Sequence, residues 1–97
     1  MIGVKKDQDK IMMDLIEPEF LLDLGKVLTQ GAKKYSPDNW KNYLDTRRIY
    51  AAMLRHSNAY RAGEEIDPES GISHMAHVAA NAMFLHWYEK QGKKLRV

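Results

Sequence analysis

The run Ile72-Ser73-His74-Met75-Ala76-His77-Val78-Ala79-Ala80-Asn81-Ala82-Met83-Phe84-Leu85 decides how the chain folds. Residues three and four apart share a helical face. His74, His77 and Asn81 therefore form one polar stripe on a helix, beginning near Ile72, that is apolar almost all round. A helix of that kind is buried. Polar groups inside it cost free energy unless something binds them. Just upstream lies a dense acidic turn, Gly63-Glu64-Glu65-Ile66-Asp67-Pro68-Glu69-Ser70-Gly71, able to meet imidazoles at a shared cation. The expected metal site is Glu64, Asp67 and Glu69 with His74 and His77.

Moving toward the N-terminus, Asp45 or Thr46 caps a helix whose inner face is Ile49, Ala52, Met53, His56, Ala59 and Tyr60, and Gly63 stops it. His56 then points inward, as a satisfied core residue or as a ligand or catalytic group beside the acids Glu64, Asp67 and Glu69. The short connection to the next helix predicts an antiparallel pair. Asp67-Pro68 reads as a cap with proline at the first helical position, and Ser70 or Ser73 as the cap of a helix restarted beyond Gly71. Further back, Glu17-Pro18 opens an amphipathic helix to about Tyr35, with Phe20, Leu21, Leu24, Val27 and Leu28 at helical spacing. Lys33 and Lys34 in its last turn complement the helix dipole and are also placed to contact phosphate. The connector Asn39 to Leu44 carries Trp40 and Tyr43, aromatics that plug the bundle end or stack on a base.

The ends are read more plainly. Residues 1–16 form an extended arm whose apolar side chains (Ile11, Met12, Met13, Leu15) dock on the body, and Asp7 and Lys10 either reach a site or are solvated. Residues 93–97 are a basic tail after Gly92 closes the third helix. No repeat or linker divides the chain, so residues 1–97 are taken as one all-α domain, a bundle of about three main helices. The third helix is apolar on more sides than two neighbours can cover, which predicts completion by a homo-oligomer, a dimer or tetramer.

Composition bounds the chemistry. With 97 residues, 44% hydrophobic and 29% charged, the chain suits a single ordinary core, not a disordered segment. Its apolar runs fall short of the roughly 20 residues a membrane helix needs, and no secretory signal pattern opens it, so a cytoplasmic location is expected. Zero cysteines remove disulfides and thiolate chemistry. Any metal must sit on His, Asp and Glu, with magnesium or manganese favoured by carboxylates and zinc by imidazoles. A net charge of +2 fits a small phosphorylated ligand as readily as nucleic acid.

Glycine-rich phosphate loops, G-x-S-x-G elbows and H-E-x-x-H are absent from the sequence. The coherent chemistry is phosphoanhydride hydrolysis. A divalent ion on carboxylates and imidazoles activates water, and Arg55, Lys33 and Lys34 hold the phosphates. Arg55 stands first among them, because its planar fork takes phosphate in two bonds.

Asp7-x-x-Lys10, Gly31-Ala32-Lys33-Lys34-Tyr35-x-x-x-Asn39-Trp40, Arg55-His56 and Gly63-Glu64-x-x-Asp67-x-Glu69-Ser70-Gly71-x-x-His74-x-x-His77-x-x-x-Asn81 together closely resemble the phage dATP/dGTP diphosphohydrolases, over roughly residues 5 to 88. The resemblance implies metal-dependent hydrolysis of a purine deoxynucleoside triphosphate to the monophosphate and pyrophosphate, in a phage or prophage setting. Lys10 joins Arg55, Lys33 and Lys34 as a candidate phosphate contact. Tyr35, Asn39 and Trp40 sit together in one connector able to stack on a purine and hydrogen-bond its edge, and Asn81 completes the expected substrate contacts. Compared with all-α nucleotide pyrophosphohydrolases, the paired E-E-x-x-E and E-x-x-D carboxylates are missing, and His74, His77 and Asn81 stand where such a pair is expected. A phosphohydrolase of the His-Asp type ranks lower, since no His-Asp dipeptide occurs. The non-enzymatic alternative is a helical dimer binding nucleotides or DNA, with the His and Asn stripe at its interface.

Overall fold

The computed structural model describes residue 3 and residues 9–42 and 45–92. Asp7, Tyr43 and the basic tail at 93–97 lie outside the described residues. Three helices make up the fold: α1 (Pro18–Lys34), α2 (Arg47–Arg61) and α3 (His74–Lys90), with short 3-10 turns at Met13–Leu15 and Asn39–Asn42. Among the described residues there is no strand, only a single antiparallel bridge between Ile66 and Ser73. The all-α reading holds.

The helix boundaries follow local chemistry. The Glu17 carboxylate accepts from the Glu19 N–H at 3.1 Å and Pro18 occupies the first turn of α1, as its sequence predicts. At α2 the Asp45 carboxylate takes the Arg47 N–H at 2.9 Å, whereas Thr46 makes no side-chain cap and its buried Oγ1 has no partner among the described residues. Gly63, with φ of 105°, turns the chain after α2 through backbone space closed to most side chains.

One boundary differs from expectation. Asp67-Pro68 does not begin a helix, and α3 starts at His74 rather than near Ile72. Asp67 Oδ1 accepts from the Glu69 N–H at 3.2 Å, a cap-like bond that closes a tight turn. Gly71 at φ 74° and the Ile66–Ser73 bridge then carry the chain away from helical geometry until Ser73 caps α3 through the Met75 N–H.

Helix α3 is central, packed against both α2 and α1. Ala76 and Ala80, each 1% exposed, let α2 approach closely, and Ile49, Ile72 and Tyr88 complete the buried core. At the far end the Tyr88 hydroxyl donates to the Trp40 carbonyl at 2.7 Å, while Trp40 stacks on Phe84 at 4.5 Å and meets Trp87 edge-on. Trp40 is thus the plug of the bundle. The arm departs from its expected docking, since Ile11, Met12, Met13 and Leu15 are all exposed. Their 3-10 turn satisfies its own backbone. Helix α1 contains no buried residue.

Candidate metal and phosphate site

Antiparallel packing of α2 on α3 brings His56 against the first turn of α3, where His74 and His77 lie on one face. The loop between the helices is held in a closed form by backbone bonds. Asp67 donates to the Ile72 carbonyl, His74 to the Glu65 carbonyl, and Gly71 to the Asp67 carbonyl at 2.7 Å. That closure turns the Asp67 side chain back toward α3, and its Oδ2 lies 3.5 Å from His77 Nε2.

His56, Asp67 and His77 each present a ligand atom, and the three atoms lie within 4.8 Å of one another. Two imidazoles and a carboxylate with room for a further ligand match the donor set of catalytic zinc and related ions. Tetrahedral zinc places its ligand atoms about 3.4 Å apart, and Asp67 Oδ2 already stands 3.5 Å from His77 Nε2. The rings of His56 and His77 are stacked at 4.3 Å with planes 5° apart. Their lone pairs lie in those planes, so sharing a cation requires the stack to tilt open.

The protonation states suit ligation. Burial, then the charge of His77, lowers the pKa of His56 from its ordinary 6.5, against the pull of Asp67; His74 and Arg55 lower it further. Burial likewise lowers His77, opposed by Asp67 and Glu69, with His74 adding to the lowering. For Asp67 burial pushes upward, but the Glu69 N–H, the Ser70 hydroxyl and the two imidazoles outweigh it and hold the carboxyl below its usual value. Near neutral pH the site therefore offers two neutral imidazoles and one anion. With His77 neutral, its contact to Asp67 is no ion pair, and its Nε2 is held by Ser70 Oγ at 2.7 Å.

The lowered histidine values also give folding stability a pH dependence. Above 6.5 neither folded nor unfolded histidine carries the extra proton, so there is no penalty. As pH falls below that value toward the folded-state values, the unfolded chain takes up protons that the folded chain refuses, and stability is lost. The urea midpoint of metal-free protein should drop between about pH 7.5 and 5.5, and the drop should shrink in His56→Gln. A drop of equal size in the variant would assign the dependence to other groups.

The remaining expected site residues divide into near and far. Glu64 and His74 belong to the cluster but stand behind it. His74 Nε2 meets Glu64 Oε1 at 2.7 Å and His74 Nδ1 meets His56 Nδ1 at 2.9 Å. Glu69 is exposed, and its backbone N–H serves Asp67. Arg55 is exposed next to His56 on α2. The Asn81 amide turns back to donate to the His77 carbonyl at 2.9 Å. Lys33 and Lys34 lie exposed in the last turn of α1, with Lys34 Nζ 5.3 Å above the Tyr35 ring. Lys10 is exposed in the arm. Asn39 and Trp40 pack near Phe84, ten residues along α3 from His74, or about 15 Å of helix. The structure does not bring them to the histidines.

Two contributors escaped sequence reasoning. Ser70 read only as a possible cap, yet its hydroxyl binds His77 and accepts the Ile72 N–H at 3.2 Å. Gln30 on α1 donates to the Ser70 carbonyl at 3.1 Å across forty positions, a contact that no local pattern signals.

Comparison with known proteins gives the site a setting. Residues 2–96 match the family described as dATP/dGTP diphosphohydrolase, N-terminal. The chain belongs to this family. A relative from Salmonella phage PMBT28, named dATP/dGTP diphosphohydrolase, is 37% identical over 87 residues, which is 90% of this chain and 30% of the relative. The chain thus spans under a third of that relative's length. No solved structure matches. Among the described residues no helix is long and apolar enough to cross a membrane.

Proposed function

We propose that this chain hydrolyses dATP or dGTP to the monophosphate and pyrophosphate, with a divalent cation held by His56, Asp67 and His77, acting on the deoxynucleotide pool of a phage-infected bacterial cytoplasm. The observation that carries the reading is the cluster itself, in which the ligand atoms of all three side chains lie within 4.8 Å of one another. The family name and the 37% identical relative support the substrate class. Two imidazoles among three ligands favour manganese or zinc over magnesium, which prefers oxygen donors and retains its waters.

When bound, such an ion polarises a phosphoryl oxygen and lowers the pKa of an attacking water. The chain's own side chains do the rest. Asp67 supplies the anion that anchors the site, and Ser70 and the loop closure hold it in place. A triphosphate carries about four negative charges, of which about two remain to be met beside a divalent ion. Arg55 is the first candidate, one position from His56 and exposed to solvent. Lys33 and Lys34 follow, one turn beyond Gln30, whose amide touches the site loop. Exposed Tyr35 is the ring open to a base, because one face of Trp40 is taken by Phe84.

The test is pyrophosphate release from dGTP, dATP, dCTP and dTTP after chelation and after return of manganese, zinc or magnesium. Purine substrates should be preferred by about tenfold or more in kcat/KM, and manganese or zinc should restore more activity than magnesium. Inorganic phosphate as first product, or equal rates after chelation, would sink the reading. We further propose a homo-oligomer, motivated by exposed Leu21 and Leu22 on a helix with no buried residue. Sedimentation of the same preparation as a monomer at micromolar concentration would remove that part.

A further inference from the structure

Glu64, His74 and His56 form a chain of two short contacts whose hydrogen positions can be worked out from one end. A carboxylate oxygen only accepts, so the 2.7 Å contact places the hydrogen of His74 on Nε2. In the neutral ring Nδ1 is then bare. The 2.9 Å contact between the two Nδ1 atoms needs one donor, and with His74 in its neutral form that donor is His56 Nδ1–H; a doubly protonated His74 would donate there instead and leave the hydrogen of His56 on Nε2. With His74 neutral, His56 is left with its hydrogen on Nδ1, engaged with His74, and a bare lone pair on Nε2, the nitrogen available for ligation beside Asp67 and His77.

We infer that Glu64 and His74 are positioning residues, not metal ligands: together they hold His56 in the tautomer that offers Nε2 as a ligand. His74 is suited to the task because its side chain is only 4% exposed and its ring has both nitrogens engaged. Glu64 is suited because its carboxylate can only accept and stands 2.7 Å from His74 Nε2. Which nitrogen of a histidine is free is set by the bond the other one makes, and such partners typically affect metal affinity by about 10- to 100-fold. The purpose assigned to the relay rests on the metal reading; the tautomer does not.

Long-range nitrogen–proton correlation spectra of the metal-free protein near neutral pH distinguish protonated from bare ring nitrogens. His56 should show a protonated Nδ1 and a bare Nε2. Glu64→Ala removes the acceptor, so His74 is free to donate from Nδ1, and His56 should shift to a mixture with hydrogen on Nε2. Glu64→Gln, whose amide oxygen still accepts, should retain the wild-type pattern. Manganese or zinc titrated into the same proteins should bind about 10- to 100-fold more weakly to Glu64→Ala, with much of the loss restored in Glu64→Gln. Hydrogen on His56 Nε2 in the wild-type protein, or a Glu64→Ala variant with unchanged tautomer and affinity, overturns the inference. The expected tautomers without ion binding would uphold the relay and overturn only the metal reading.

Discussion

Under the proposed reaction, Asp67→Asn should lower pyrophosphate release from dGTP or dATP by about a hundredfold or more while leaving the helical spectrum unchanged. Asparagine keeps an oxygen for the Glu69 N–H, the bond that shapes the turn, and the backbone bonds closing residues 65–74 do not involve the side chain. The fold therefore survives. On the other branch an amide NH2 replaces the oxygen that faces His77 at 3.5 Å. A donor there cannot ligate a cation, and the site loses its anion between two imidazoles already neutral by burial. Calorimetric titration with manganese should lose its signal together with activity. Full activity in a folded variant would place the chemistry elsewhere.

The second large effect is on stability, at the opposite end of α3. Tyr88 is 1% exposed and ties the Asn39–Asn42 turn to the helix through its bond to the Trp40 carbonyl. Truncation to alanine empties space between α2, α3 and that turn, and should cost about 3–5 kcal/mol. Total stability for a chain of this length is about 5–15 kcal/mol, so the loss is a large share of it. Tyr88→Phe keeps the ring, removes the hydroxyl, and should cost about 1 kcal/mol. Urea midpoints of the three proteins measure both. Tyr88→Ala within about 1 kcal/mol of wild type would mean that the site collapses to fill the space. Activity per folded molecule should persist, since Tyr88 lies fourteen residues along α3 from His74, about 21 Å of helix.

The helices were legible because their signals are local. Pro18 after Glu17, the apolar girth of the third helix, and glycines 63 and 92 are each read within a few residues. The inward turn of His56 followed from helical period alone. The division of labour among the acids and histidines was not legible, because it depends on which atoms meet once the loop closes. Glu64 and Asp67 differ little as letters. One reaches the solvent side of His74 and the other is folded under against His77 by its own turn. Trp40 and Asn39 sat beside Tyr35 in sequence, yet the chain carries them to the Phe84 end, a long-range outcome of packing.

The absence of any buried residue in α1 has a consequence for how the molecule opens. In the lone chain, before any partner covers Leu21 and Leu22, a helix that contributes little to the core can detach at a fraction of the cost of global unfolding, as a separate cooperative unit. Its clasp on the rest of the fold includes the Gln30 amide on the Ser70 carbonyl, and Ser70 holds the His77 ring. Detachment of α1 therefore loosens the loop that seats His77, while the α2–α3 hairpin keeps its alanine seam. Local breathing of the outermost helix and the readiness of the histidine cluster are two readings of one equilibrium.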